Sequence, residues 1–280
     1  MELGPISLLV RDIDTMLEFY VGDLGLKKSE VDGQQVELRT SEQFPKPLLI
    51  LRHDLKSEIA PLDAAGLYHY ALLLPNRKSL AAAYLSLGKA GIVFDGHADH
   101  QVSEALYLTD PEGNGIEIYA DRTRDHWKFD EDGKVQMATL PLDIDSLLGE
   151  LAGTSQENLT TIAEGTRVGH VHLKVTDLVR SVNFYQEVLG LDLMKYYGSA
   201  AFLAVGGYHH HSGMNTWESL GGPARRAGWS GLEFLTIEMP AARVGKITSN
   251  VVDGPFVYSG NSNRLLLADP DGIELVIRAV

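Results

Sequence analysis

Stretches in which apolar and polar residues alternate give way, again and again, to stretches with apolar positions three and four apart. His170-Val-His-Leu-Lys-Val175 has the period of a short strand. Asp177 then stands where a side chain can cap a helix, Leu178, Val182, Tyr185 and Leu189 follow at helical spacing, and Gly190 stops the run. Two or three further strands complete the unit, which reads β-α-β-β-β. In two units the last hairpin turns at Asp110-Pro-Glu-Gly113 or Asp269-Pro-Asp-Gly272, where Pro and Gly suit a tight turn.

The pattern repeats in sequence as well as in period. Val10, Asp12, Phe19, Tyr20, Leu24, Gly25 and Leu26 match Val175, Asp177, Phe184, Tyr185, Leu189, Gly190 and Leu191 at a constant offset of 165. Residues 66–75 match 231–240 at the same offset, and 108–118 match 267–276 after a small deletion. The chain thus divides into an N-terminal half, 1–122, with units 4–55 and 66–122, a linker at 123–167 with one short helix, and a C-terminal half, 168–280, with units 168–218 and 230–280. One such unit leaves a face of its sheet bare, so two must associate.

Composition narrows the function. The 280 residues carry 24 Lys+Arg against 38 Asp+Glu, a formal net charge of −14, and no basic run, which argues against nucleic acid as a partner. With 44% hydrophobic residues and a mean hydropathy of −0.06, the chain can fill ordinary cores. Cysteine is absent, so disulfides, thiolate metal sites and a cysteine nucleophile are excluded and any metal must be held by His and carboxylates. No apolar run approaches a membrane span and no signal-peptide pattern opens the chain; the expectation is a cytoplasmic protein without membrane contact.

The four β-α-β-β-β units, their "VxDxxxxxxFYxxxLGL" openings and the "DPxG" turns followed by Ile-Glu resemble the vicinal oxygen chelate superfamily of glyoxalase I, fosfomycin and bleomycin resistance proteins and extradiol dioxygenases. The GHVHLKV, GGYHHHSGMNTW and LYHYALLLP segments are most similar to the bacterial catechol 2,3-dioxygenase group. The resemblance implies an α+β fold whose units pair into two cup-shaped mixed sheets, with metal ligands on the first and last strands of a unit. On those strands stand His69 and Glu117 in unit two and His170 in unit three. Unit one has Pro5 where unit three has His170, and unit four has Phe234 where unit two has His69, with Glu274 left alone. Two His and one carboxylate suit non-haem Fe(II), with Mn(II) as the substitute. They meet only if unit two pairs with unit three and unit one with unit four.

Other residues take roles that the resemblance implies. Tyr208-His209-His210-His211 falls on the expected last strand of unit three, where neighbours alternate in direction. His210 or His211 is expected to act as acid and base in catalysis, the alternative being a fourth metal ligand from this run. Tyr107, ten residues before Glu117, and His100, with His97 as its rival, match the residues that hold substrate in extradiol relatives. Asn215 and Trp217 are candidates for a ring-binding wall, whereas Phe19-Tyr20 and Phe184-Tyr185 read as packing and Arg225 and Arg226 as solvated.

The expected function is an extradiol dioxygenase acting with Fe(II) and O₂ on a small aromatic diol. One alternative is a glyoxalase-type lyase or isomerase with Ni(II) or Zn(II) on four ligands; another is a resistance-type protein that sequesters a small molecule. Four units suffice for a monomer, and a homodimer with exchanged units is equally compatible.

Overall fold

The computed structural model describes residues 1–44, 46–131, 133–155, 159–252, 254, 256–261 and 263–280. Unit one comprises β1 (Glu2–Val10), α1 (Ile13–Leu17) with a π turn at Glu18–Asp23, β2 (Lys27–Asp32), β3 (Gln35–Arg39) and β4 (Leu49–His53). Unit two has β5 (Gly66–Leu73), α2 (Arg77–Lys89), β6 (Gly96–Asp99), β7 (Ser103–Thr109) and β8 (Gly115–Asp121). After α3 (Ile144–Gly149), unit three runs through β9 (Arg167–Lys174), α4 (Leu178–Glu187), β10 (Asp192–Tyr197), β11 (Ala200–Ala204) and β12 (Ser212–Asn215). Unit four holds β13 (Gly231–Met239), α5 (Ala241–Val252), β14 (Tyr258–Asn261), β15 (Arg264–Ala268) and β16 (Glu274–Ala279).

The repeated Asp residues cap the helices. Asp12 Oδ1 accepts from the Thr15 amide and Asp177 Oδ1 from the Arg180 amide, each at 3.1 Å, while Gly25 and Gly190 leave their helices at φ 77° and 69°.

Two eight-stranded sheets result, and each takes one unit from either half of the chain. One has the order β14-β15-β16-β13-β1-β4-β3-β2, joining units four and one; the other, β10-β11-β12-β9-β5-β8-β7-β6, joins units three and two. The seam of the second sheet is the antiparallel pair β5–β9, flanked by the parallel pairs β5–β8 and β9–β12. This is the crossed pairing that the ligand positions require, made within one chain.

Alternation along these strands separates core from cup. Tyr70 and Leu72 of β5, Leu106 and Leu108 of β7, and Ile116 and Ile118 of β8 belong to the main hydrophobic core. The opposite face carries His69, Ala71, Tyr107, Glu117, Tyr119 and His170, and there the small Ala71 and Ala105 leave room.

A second link crosses from one sheet to the other. Tyr20 of unit one donates its phenol to Asp110 Oδ2 in the turn of unit two at 2.8 Å, and Tyr185 of unit three reaches Asp269 of unit four at 3.2 Å. The repeated Phe-Tyr tyrosines are therefore buried clamps as well as packing. Arg225, expected in solvent, instead donates to the Trp229 carbonyl at 2.8 Å, and burial lowers its pKa to about 10. Arg226 is exposed and stacks over the Trp229 ring.

Candidate metal centre

Register explains how three distant residues meet. Ala71 on β5 pairs with His170 of β9 on one side and with Glu117 of β8 on the other, while His69 lies two positions earlier on the same face. His69 Nε2 and His170 Nε2 stand 3.1 and 3.0 Å from the same oxygen, Glu117 Oε2, and all three side chains are buried. One ligand atom from each lies within 4.8 Å of the other two.

These residues fit a metal ion. His69 Nε2 is a buried nitrogen without a hydrogen-bond partner among the described residues, directed at a carboxylate oxygen in a geometry that is not a hydrogen bond. Ligands at right angles about 2.1 Å from one ion stand about 3.0 Å apart, which is the separation of each histidine nitrogen from Glu117 Oε2. Burial alone would push the Glu117 carboxyl up; His170 and His69 beside it outweigh burial and hold it well below the usual carboxylate range. Burial lowers the pKa of His170, and lowers that of His172 well below the ordinary imidazole value, which favours the form that carries a lone pair.

Around this cluster lies a cavity of about 700 Å³. Tyr68, His172, Phe202 and Trp217 supply aromatic walls, and Tyr107, His100 and His210 supply polar groups. Tyr107 is cross-strand partner to Glu117 in the β7–β8 ladder, and burial together with the Glu117 charge raises its phenol well above the ordinary value. His100 Nδ1 donates to the Ala138 carbonyl at 2.8 Å, which leaves Nε2 to accept from the Tyr107 hydroxyl at 2.7 Å. His97 is exposed outside the cup.

The 208–211 segment departs from the sequence expectation. β12 begins at Ser212, and Gly206 and Gly207, both at φ 67°, turn the chain so that the histidines precede the strand instead of alternating along it. His210 packs against His170 with ring centroids 4.1 Å apart and the planes tilted by 47°, and it lines the cup. His209 is fully buried and bonds Asp121 and His210. His211 lies outside the cup: its Nδ1 accepts from the Val205 amide and burial lowers its pKa to about 3. Among the described residues no histidine of this run joins the three-residue cluster as a fourth ligand.

Two contributors escaped the sequence reading. His172 sits two residues beyond His170 on the same strand face, 5.1 Å from the His69 ring centroid, and Asn215 holds its Nε2 at 3.0 Å; the His-x-His alternation was the available signal. The stretch read as a linker closes one wall: Met137, Ala138 and Thr139 line the cup, and Lys195 Nζ donates to the Met137 carbonyl at 2.9 Å. In the other sheet Phe234 pairs with Glu274 at the corresponding place, and Glu274 stays exposed.

Paired β-α-β-β-β units thus enclose a cup whose buried His-Glu-His group could hold a metal ion. The chain belongs to the Glyoxalase/Bleomycin resistance protein/Dioxygenase superfamily, whose model matches residues 2–118 and 167–277. It is 38% identical over 272 residues to the catechol-2,3-dioxygenase of Bacillus subtilis (strain 168), covering 96% of this chain and 93% of that one. Among solved structures, a dioxygenase candidate from Bacillus subtilis subsp. subtilis str. 168 superposes with TM-score 0.65 at 12% identity, over 100% of this chain and 85% of that one. Glyoxalase I from Zea mays superposes with TM-score 0.57 at 15% identity, over 99% and 92%. At these identities the structural likenesses show the fold alone. Among the described residues no helix is long and apolar enough to cross a membrane.

Proposed function

We propose that the protein is an extradiol dioxygenase that opens the ring of a catechol-type diol with O₂, using Fe(II) held by His69, Glu117 and His170. The observation that carries this reading is the buried His-Glu-His cluster at the floor of an aromatic cup, with a neutral imidazole, His210, beside it. The 38% identical relative supports the same class of reaction. Bound there, iron would supply a Lewis-acidic centre with positions open to two adjacent oxygens and to O₂.

The chain's own residues position the ring and handle its protons. Trp217 and Tyr68, at the mouth of the cavity, offer faces on which an aromatic ring can stack. His210 is fit to take a hydroxyl proton from the diol and to return it later, because burial keeps the ring unprotonated and its Nε2 makes no hydrogen bond to described residues. Tyr107, held by His100, presents a hydroxyl on the opposite wall, where it can hold an oxygen of the substrate in place. The cavity lies well inside the size range of small-ligand sites and exceeds what a single ring fills, so substituted diols fit the cup as well.

Replacing His210 by Gln tests this assignment. The iron content is expected to stay at the wild-type level while kcat falls at least about 100-fold, the usual lower bound for loss of a general base. Unchanged turnover would remove His210 from the chemistry, and loss of iron would make it a ligand, the arrangement expected of the lyase reading.

A further inference from the structure

Behind His210 runs a chain of hydrogen bonds that leads away from the cup. Its far end is Asp121, the last residue of β8, on the same strand face as Glu117. Asp121 Oδ1 stands 2.9 Å from His209 Nε2, and His209 Nδ1 stands 2.8 Å from His210 Nδ1. Asp121 Oδ2 accepts from the Tyr208 hydroxyl at 2.9 Å, and Tyr208 in turn lies 2.8 Å from the Tyr119 hydroxyl. His209 itself has no exposed surface.

The carboxylate at its far end gives the chain a direction. A carboxylate only accepts, so His209 turns an N–H at Nε2 toward Asp121; where that is the ring's single N–H, Nδ1 is left as the acceptor. His210 then donates from Nδ1. That leaves the lone pair of His210 on Nε2, the nitrogen with no partner among the described residues, on a ring that lines the cup. Were His209 to carry its proton on Nδ1, His210 would present an N–H to the cup and could not take a proton from a substrate.

We propose that Asp121 and His209 are positioning residues that fix the tautomer of His210, so that the imidazole in the cup presents an acceptor. The inference rests on the reading of His210 as the base. Nothing in the three-residue metal cluster requires Asp121, which separates the relay from the ligand set. The arrangement also accounts for the paired histidines: the outer ring transmits the carboxylate's preference inward and keeps the carboxylate itself at the rim, where its side chain is 24% exposed.

The test uses the full-length protein loaded with diamagnetic Zn(II) for spectroscopy and with Fe(II) for kinetics. Long-range ¹⁵N–¹H correlation spectra of ¹⁵N-histidine protein at pH 8 report which nitrogen of each ring bears the proton, and His210→Gln identifies the His210 signals. Wild type is expected to show His210 protonated on Nδ1. In Asp121→Ala that preference is expected to be lost, kcat with a catechol to fall about 100-fold with KM within about twofold, and Asp121→Glu to restore both. The His100 signals and the metal content, expected unchanged, report that the cup is intact. Nε2-protonated His210 in wild type, or a His210 signal unmoved in Asp121→Ala, overturns the relay while leaving His210 as base untouched. An inactive His210→Gln beside a fully active Asp121→Ala does the same, and an active His210→Gln overturns the base assignment itself. Should Asp121→Ala lose metal, His209→Asn replaces it, because it breaks the same chain from the other side with the same expected spectrum and kinetics.

Discussion

Tyr20→Phe should cost the protein far more stability than the matching change in the other half. The Tyr20 phenol is fully buried and donates to Asp110 Oδ2 at 2.8 Å, and the Tyr70 hydroxyl sits 2.8 Å from the same oxygen of Tyr20. Asp110 also accepts from the amides of Glu112 and Asn114 and from the Asn114 side chain. Since every partner donates, the bonded group is a carboxylate, although burial raises its pKa. Removing the Tyr20 oxygen deletes one charge-assisted bond, about 1.5–3 kcal/mol, and strands the buried Tyr70 hydroxyl for about 1–3 kcal/mol more. The sum, about 2.5–6 kcal/mol, is a large share of the stability of an ordinary domain. Tyr185→Phe breaks only the longer 3.2 Å bond to Asp269, where no second tyrosine is linked, and should cost about 1–2 kcal/mol. Urea denaturation of both variants at pH 7, with Tyr20→Phe/Tyr70→Phe completing a cycle, measures the difference. Because the double variant no longer strands Tyr70, it should cost little more than Tyr20→Phe alone. A Tyr20→Phe loss below about 1 kcal/mol, or one equal to that of Tyr185→Phe, would refute the argument that this phenol ties two sheets together.

Two further outcomes follow from the same geometry. Burial raises the Asp269 carboxyl to about 7 in the folded state, above its unfolded value, so the native protein holds this proton more tightly than the unfolded chain and stability falls as pH rises between the two values. Between pH 5 and 8 wild type should lose about 2–3 kcal/mol that Asp269→Asn does not lose; parallel curves would contradict the assignment. At the site, Gly213 pairs with His172, and a Cβ there would lie 3.0 Å from the His172 ring. Gly213→Ala should therefore push His172 toward the cavity and raise KM for the diol several-fold with iron retained, and an unchanged KM would place His172 outside the binding wall.

How far the sequence disclosed this site depended on what fixes each residue. Strand alternation and the offset of 165 place side chains on a face, so His69, Glu117 and His170 were legible, and the loss of ligand-type residues at Pro5 and Phe234 pointed to crossed pairing before any sheet was drawn. The same alternation places His172, two residues on, on that face. What alternation does not govern stayed hidden. The direction of His210 depends on two glycines in left-handed conformation that carry the chain out of the strand before Ser212. The wall at Met137 to Thr139 comes from a stretch without periodicity, held by Lys195 and His100 across the fold. The Tyr20 and Tyr185 phenols read as packing because helical spacing reports burial and not the partner of a hydroxyl group.

Metal analysis of anaerobically purified wild type beside His69→Ala, followed by catechol in air, asks whether His69, Glu117 and His170 bind the iron of a ring-opening enzyme. About one iron per wild-type chain is expected, with its loss in the variant and a yellow ring-fission product from wild type alone. Iron retained without His69, or no colour from fully loaded wild type, would contradict that assignment.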